Sequence, residues 1–323
     1  MSKRDMLVVV SVLAATVVAV GVLVAIGPSV ALAEPAQQFS LQLRSARSGQ
    51  LALSIKLRTF DTTGAVPPTP TETYIRLPAG AGVRKEFRTR QYECDGPALR
   101  LALDTRPSRT QFAERVANLK PFIRSLEGGR SRADRAALAN ARVCERSRIG
   151  GGSGLIDARR VTPVLSEPIP VRFSVFLSRP RAPGAVVGYA ILGSADERAP
   201  IVRRYPVVGG VHAAIVDDIV EDATPDGLYG LKLMVPTGPI AGFDISIAEV
   251  DTAVRGLKIG RGTCLATSRR GRCTRRQPAD VYSFVVPQCP PAGTLSALMF
   301  TGFPSPTPSL TTTFQLPCPS FVR

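Results

Sequence analysis

The chain has 323 residues, 44% of them hydrophobic, and carries 41 basic against 25 acidic side chains, a formal net charge of +16. That apolar fraction excludes an intrinsically disordered chain. With 6% aromatics and no tryptophan, stacking platforms for single-stranded nucleic acid are lacking, so the charge points to other anionic surfaces. Lysine accounts for only 6 of the 41 basic residues, an imbalance that a GC-rich genome explains without function. The field of the net charge exists whatever its origin.

Lys3 and Arg4 precede an apolar run from Leu7 to Ile26; Gly27-Pro28 breaks the run and Ala31-Leu32-Ala33 follows. A charged start, an apolar middle and a small-x-small end are the parts of a secretory signal peptide, here residues 1–33 with cleavage after Ala33. The run also reaches the roughly 20 residues that span a bilayer, so an uncleaved anchor is the competing reading. Both place the rest of the chain outside the cytoplasm. The six cysteines, Cys94, Cys144, Cys264, Cys273, Cys289 and Cys318, fit disulfides in that oxidising setting. Sequential pairing (Cys94–Cys144, Cys264–Cys273, Cys289–Cys318) closes the shortest loops. A zinc site needs closer spacing, such as C-x2-C, with further ligands. The nearest pair is Cys264 and Cys273 and the only histidine is His212, so neither metal nor cofactor is expected.

Period-2 alternation opens the mature chain. Phe39, Leu41 and Leu43 share one strand face, and Leu51, Leu53, Ile55 and Leu57 share another, with Ser48-Gly49-Gln50 as a hairpin turn. A short strand follows at 73–77. Leu99, Leu101 and Leu103 read as one more. The period then changes: Phe112, Val116, Leu119, Ile123 and Leu126 step by three and four, a helical stripe that Pro121 interrupts. Ser131 and Asp134 form a helix start before "RAALANARVC". From 154 onward short strands return ("LIDARRV", "IPVRFSVFLS", "AVVGYAIL", "IVRRYPVV", "VHAAIVDDIV", "YGLKLMVP", "FDISIAEV"), and the chain closes with strands at Thr294–Thr301 and Leu310–Leu316. The expected fold is mainly β, with sandwich-like domains (Ig-like or jelly-roll-like) at 34–160 and 161–323 and a short helical insertion at about 108–143.

"CERSRIGGGSGLIDA" at 144–158 fails each motif it resembles. A phosphate-binding loop needs its lysine, a dinucleotide fingerprint needs strand before and helix after, and a nucleophile elbow needs G-x-S-x-G. The remaining expectation is a tight glycine-permitted reversal after Cys144. His212 is the only residue that could serve as the base of a Ser-His-Asp hydrolase, with Asp217 and Asp218 close in sequence. The acidic run Asp217, Asp218, Glu221, Asp222 and Asp226 lacks the D-x-D-x-D-G spacing of a calcium loop and reads equally as a solvated turn. Arginines crowd the helical segment. Arg115, Arg124, Arg132 and Arg135 are candidates for binding anionic cell-wall polymer or a membrane surface, because guanidinium forks suit phosphate; a solvated helical face is the competing reading.

Two stretches carry a resemblance. Cys144 followed by "RSRIGGG" and a strand, and the ending in which Cys289-Pro290 and Pro317-Cys318-Pro319 flank strands, are similar to exported β-rich proteins of high-GC Gram-positive bacteria. The similarity covers about a third of the chain. It implies an exported β scaffold and carries over no catalytic residue. The long arginine-rich segment at 108–143 departs from that pattern. The expected function is that of a non-enzymatic cell-envelope protein, with an exported hydrolase using His212 and nearby carboxylates as the alternative.

Overall fold

The computed structural model describes residues 35–45, 50–83, 93–105, 112–209, 212–222, 224–236, 238, 244–254, 257–260, 264–268, 272–276, 279–281, 284–285 and 293–317. The expected leader at 1–33, Cys289 and Cys318 lie outside them. The first strands are β1 (Pro35–Ser45), β2 (Gln50–Asp61), β3 (Glu72–Pro78) and β4 (Gly82–Val83). Four helices follow: α1 (Gly96–Thr105), α2 (Phe112–Ala117), α3 (Lys120–Glu127) and α4 (Arg132–Ser147). Next come β5 (Arg148–Asp157), β6 (Ile169–Ser178), β7 (Ala185–Ala195), the short helices α5 (Pro200–Arg204) and α6 (Pro206–Gly209), β8 (His212–Glu221), β9 (Tyr229–Met234) and β10 (Ser246–Val254). Small strands β11 (Leu257–Gly260), β12 (Cys264–Thr267), β13 (Cys273–Arg276), β14 (Ala279–Val281) and β15 (Phe284–Val285) precede β16 (Thr294–Gly302) and β17 (Leu310–Pro317).

The strands form one large antiparallel sheet. Its main path runs β1–β2–β10–β5–β6–β7–β8–β9–β3–β16–β17, with β15 and β4 extending the β2 edge. The ends of the path meet. Gln37 Nε2 of β1 donates to Thr312 Oγ1 of β17 at 2.8 Å, and the rings of Phe39 and Phe314 are 4.5 Å apart. Direction alternates at every step of the path, so β1 and β17 run the same way, and their contacts advance in step, 37 with 312 and 39 with 314. Among the described residues no backbone ladder joins them, and side chains seal the seam of a nearly barrel-shaped sheet.

Strands from either side of residue 160 interleave: β5 lies between β6 and β10, and β3 between β9 and β16. Ala33–Arg323 is accordingly one compact unit, which corrects the expected division at 160 and the stacking of two sandwich sheets. Alternation specifies that a strand buries one face; it says nothing about whether that face meets a second sheet or the far wall of the same one. In β2 the inward set Leu53, Ile55 and Leu57 is buried, while Ser54, Lys56 and Arg58 point outward.

Three local readings also change. Leu99 and Leu103 are buried but Leu101 is 63% exposed, because residues four apart share a helix face and residues two apart do not; the segment is α1. "IVRRYPVV" is α5 and α6, each opened by a proline at its first helical position, Pro200 and Pro206, where the missing N–H costs nothing. The glycine stretch makes no reversal. α4 passes directly into β5, its C-cap Arg148 already extended. The helix start is as expected: Ser131 Oγ accepts from the Asp134 N–H at 3.0 Å.

Gly150, Gly152 and Gly154 pair with Val175, Phe173 and Val171 of β6, so they occupy the inward positions of β5. A β-carbon at 150, 152 or 154 would lie 2.2, 2.0 or 2.3 Å from a carbonyl oxygen of β10. The sheet bends inward sharply here, and only strand positions without a side chain permit that bend.

Helices α1–α4 pack on the outer face of β6, β7 and β8, burying Leu99, Val116, Phe122 and Leu126 against Phe176 and Leu192. The disulfide Cys94–Cys144 is formed, with Cα atoms 4.6 Å apart, and the Cys94 N–H donates to Leu177 O of β6 at 2.7 Å. In the β12–β13 hairpin Cys264 stands opposite Arg276 and Cys273 opposite Thr267. Cys273 is disulfide-bonded.

Two outcomes are expected. Gly152→Ala is expected to cost about 1–3 kcal/mol by overpacking, while Gly82→Ala, with nothing within 4 Å of the added carbon, stays within about 0.5 kcal/mol; urea unfolding of both variants checks this. Replacing Cys94 and Cys144 together by alanine frees a loop spanning 50 positions of sequence and is expected to lower stability by up to about 4 kcal/mol, read from denaturation midpoints.

Candidate functional site

The interior of the sheet is apolar, and it is not full. One cavity, of about 100 Å³, is bounded among others by Ile55, Ile149, Val175, Val187, Ile219 and Val250. A second, of about 50 Å³, lies between Gly154, Ile156, Val171, Ala213 and Ile215. Phe173, Ile191 and Ile247 line both, so the two spaces are stacked along the strand direction and divided by these three side chains. The glycines of β5 contribute by absence, since no side chain enters from 150, 152 or 154. Beyond the second cavity, α5 and α6 close one end of the sheet: Ile201, Val202 and Val208 pack with Ile169, Val171 and Ala195.

The polarity of the wall has a definite sense. Uncovered outward positions carry groups such as Lys56, Arg58, Glu72, Arg76, Lys232 and Asp251, several of them paired (Lys56–Asp251 at 2.8 Å, Arg76–Asp222 at 2.7 Å, Lys232–Glu72 at 3.0 Å). Inward positions are mostly apolar, with Thr252 an exception in the wall of the larger cavity. A membrane-spanning barrel has the opposite arrangement, with an apolar outer band and a polar lumen. No described helix is long and apolar enough to cross a membrane.

Besides the β1–β17 seam, the described wall is split between β8 and β9. β9 pairs with β8 only at Ile219, Val220 and Glu221; beyond that β9 stays with β3, and the Val235 N–H donates to Thr73 O at 2.8 Å. Among the described residues, 212–217 therefore have a strand neighbour on the β7 side alone, and all of them are half-buried. Tyr189 reaches across this split from β7, and its hydroxyl donates to Met234 O. Asp217 is the direct partner of Tyr189 in the ladder and shares the inward face of β8 with Ala213, Ile215 and Ile219. Burial raises the Asp217 carboxyl above the ordinary range, opposed by the Asp218 N–H that it accepts. Burial also holds the Tyr189 phenol well above its usual value, reinforced by Asp217 and then Asp218.

The residues singled out in the sequence are dispersed. His212 stacks on Phe112, ring centroids 4.0 Å apart, and so fixes α2 to β8. Along the strand it is about 17 Å from Asp217 and about 20 Å from Asp218, too far for a histidine–carboxylate pair. Asp218 points outward, is buried, and accepts from the Arg181 and Ala182 N–H groups at 3.1 and 2.8 Å. Asp222 pairs with Arg76, and Asp226 organises its own turn by accepting from the Leu228 N–H at 3.0 Å. Each of these carboxylates is engaged separately, and among the described residues no three His, Cys, Asp or Glu side chains are grouped to hold a metal ion. Arg124, Arg132 and Arg135 are exposed on α3 and α4, and Arg115 is half-buried on α2. Sequence reasoning missed Asp217 as a lumen residue, although its signal was present: in "VHAAIVDDIV" the alternation Ala213, Ile215, Asp217, Ile219 puts a carboxylate where an apolar residue belongs.

Fold and site together define a nearly closed antiparallel barrel with an apolar, partly unfilled lumen and a polar exterior carrying a helical layer. Comparison of the chain with protein-family models, curated proteins and solved structures finds no match.

The raised Asp217 carboxyl has a consequence for stability. A group whose folded pKa lies above its unfolded value favours the fold at low pH, and that contribution is lost as pH rises through the folded pKa. Asp217→Asn removes the titration and keeps an acceptor for the Asp218 N–H. The variant is expected to be more stable than the wild type at neutral pH, with the difference shrinking as pH falls into the carboxylate range, measured by urea unfolding across pH.

Proposed function

We propose that the chain is an exported, non-enzymatic protein of the cell envelope that holds a single alkyl chain in its lumen. The observation that carries this reading is the pair of apolar cavities stacked inside a barrel whose outer face is polar. A cavity of about 150 Å³ lined by Leu, Ile and Phe stays dry and takes benzene or xenon, and the two spaces together approach that size. Their end-to-end arrangement suits an extended molecule better than a round one. Export is supported by the leader-like residues 1–33 and by the Cys94–Cys144 bridge. The net charge of +16 and the exposed Arg124, Arg132 and Arg135 favour residence at anionic polymer or membrane surfaces, where alkyl-bearing molecules are found. The resemblance to exported β-rich proteins of high-GC Gram-positive bacteria agrees with this placement. The hydrolase reading loses its support with the separation of His212 from Asp217 and Asp218.

Titration of the mature protein with an alkyl-chain fluorescent probe is expected to give saturable 1:1 binding. Ile191→Trp, which fills the space shared by both cavities, should abolish it, and Phe173→Ala, which joins them, should shift the preference to longer chains. Retention on isolated envelope membranes should weaken with salt and with Arg124, Arg132 and Arg135 changed together to Gln. A wild type without saturable binding overturns the lumen reading.

A further inference from the structure

The lumen needs an entrance, and one end of the sheet is closed by α5 and α6. The seam between β1 and β17 is distant from the cavities: no residue of β1, β3, β16 or β17 is among their linings. The split between β8 and β9 borders them directly. Ile219, Leu233, Met234, Val235 and Pro236 line the larger cavity, and Ile215 lines the smaller. Asp217 stands between Ile215 and Ile219 on the same strand face, level with Tyr189 of the larger cavity and one inward position from Ile215, which is level with the partition residue Ile191. Tyr189 also lines the larger cavity, and its bond to Met234 O ties the two lips of the split together from inside.

We infer that the β8–β9 split is the lateral entrance to the lumen and that Asp217 holds the hydrogen-bond-donating end, an amine or a hydroxyl, of the alkyl molecule inside. This rests on the lumen-binding reading. Three observations carry it. Asp217 is a carboxylate in an otherwise apolar row, beside the cavities of a strongly basic protein. One of its oxygens accepts from the Asp218 N–H at 2.9 Å, which leaves further acceptor capacity, since a carboxylate offers about four lone-pair sites. The lips around it are apolar, so a molecule entering here would bury its chain in the larger cavity and leave its polar end at Asp217. An anionic head is disfavoured at this point, because it would meet a carboxylate in partly buried surroundings, where like charges repel strongly.

The test compares hexylamine, hexanol and hexanoate, whose six-carbon chains match the size of the lumen, as competitors for the fluorescent probe. Wild type is expected to take the amine and the alcohol roughly tenfold or more tightly than the carboxylate, the scale of a hydrogen bond to a charged group. Asp217→Asn should bring the amine down to the alcohol and raise the carboxylate. Tyr189→Phe, which unties Met234, should speed association of all three in stopped-flow measurements. If the carboxylate binds as well as the amine, or the order survives Asp217→Asn in a variant that keeps wild-type circular dichroism, the entrance assignment is overturned. Lumen binding itself would still stand if Ile191→Trp removed the signal. If none of the three competes and the probe does not bind, both readings fall.

Discussion

The architecture depends on a strand whose inner face carries glycine at three alternate positions. At Gly150, Gly152 and Gly154 a β-carbon would collide with β10 carbonyl oxygens. The absence of side chains there lets the sheet turn back on itself between β6 and β10, the bend that draws the path toward closure. The same three positions leave the lumen partly unfilled, because a glycine supplies no side chain to fill it. Curvature and cavity thus have one cause. β5 is also where the chain passes from helical layer to sheet without a loop, so the disulfide that fixes α4 to the start of α1 also fixes the base of the curved strand.

Outside and inside have different chemistry. The outer face of β6, β7 and β8 is buried by α1–α4, and the exposed surface of those helices carries arginines. Elsewhere the outer wall is polar and laced with ion pairs such as Lys56–Asp251 and Arg76–Asp222. Such exposed pairs contribute little stability, but they keep a wide sheet face hydrated. The interior is held by dispersion and burial, and its one interruption on β8, Asp217, sits where the ladder to β9 stops. A half-buried carboxylate, a phenol bridging to a backbone carbonyl and, among the described residues, the end of the β8–β9 ladder fall at the same level.

Much of the chain was legible without coordinates. The β1–β2 hairpin, the strands at 72–78, 294–302 and 310–317, the Ser131 helix start and the Cys94–Cys144 bridge follow from alternation, capping chemistry and loop length. The misreadings have local causes. Leu99, Leu101 and Leu103 fit period 2 by composition, while the helix uses only the pair four apart. "IVRRYPVV" has the composition of a strand, while Pro200 and Pro206 each open a helical turn. Glycines 150–154 were read as a bend in the chain when they bend the sheet. The functional candidates fared worse: His212 serves a ring stack between α2 and β8, and the acidic run divides among an inward carboxylate, a loop anchor, an ion pair and a turn.

The sequence by itself determined which residues are apolar, at what period they recur and where short-range chemistry acts, because these are properties of neighbours along the chain. It therefore determined β character, the helical interruption and the basic exterior. Tertiary structure alone decided that the strands form one curled sheet, that β3 inserts between β9 and β16, and that Asp217 faces inward beside Tyr189. These are pairings between residues far apart in sequence, and an alternating strand buries the same face equally well against a second sheet or against the opposite wall of its own.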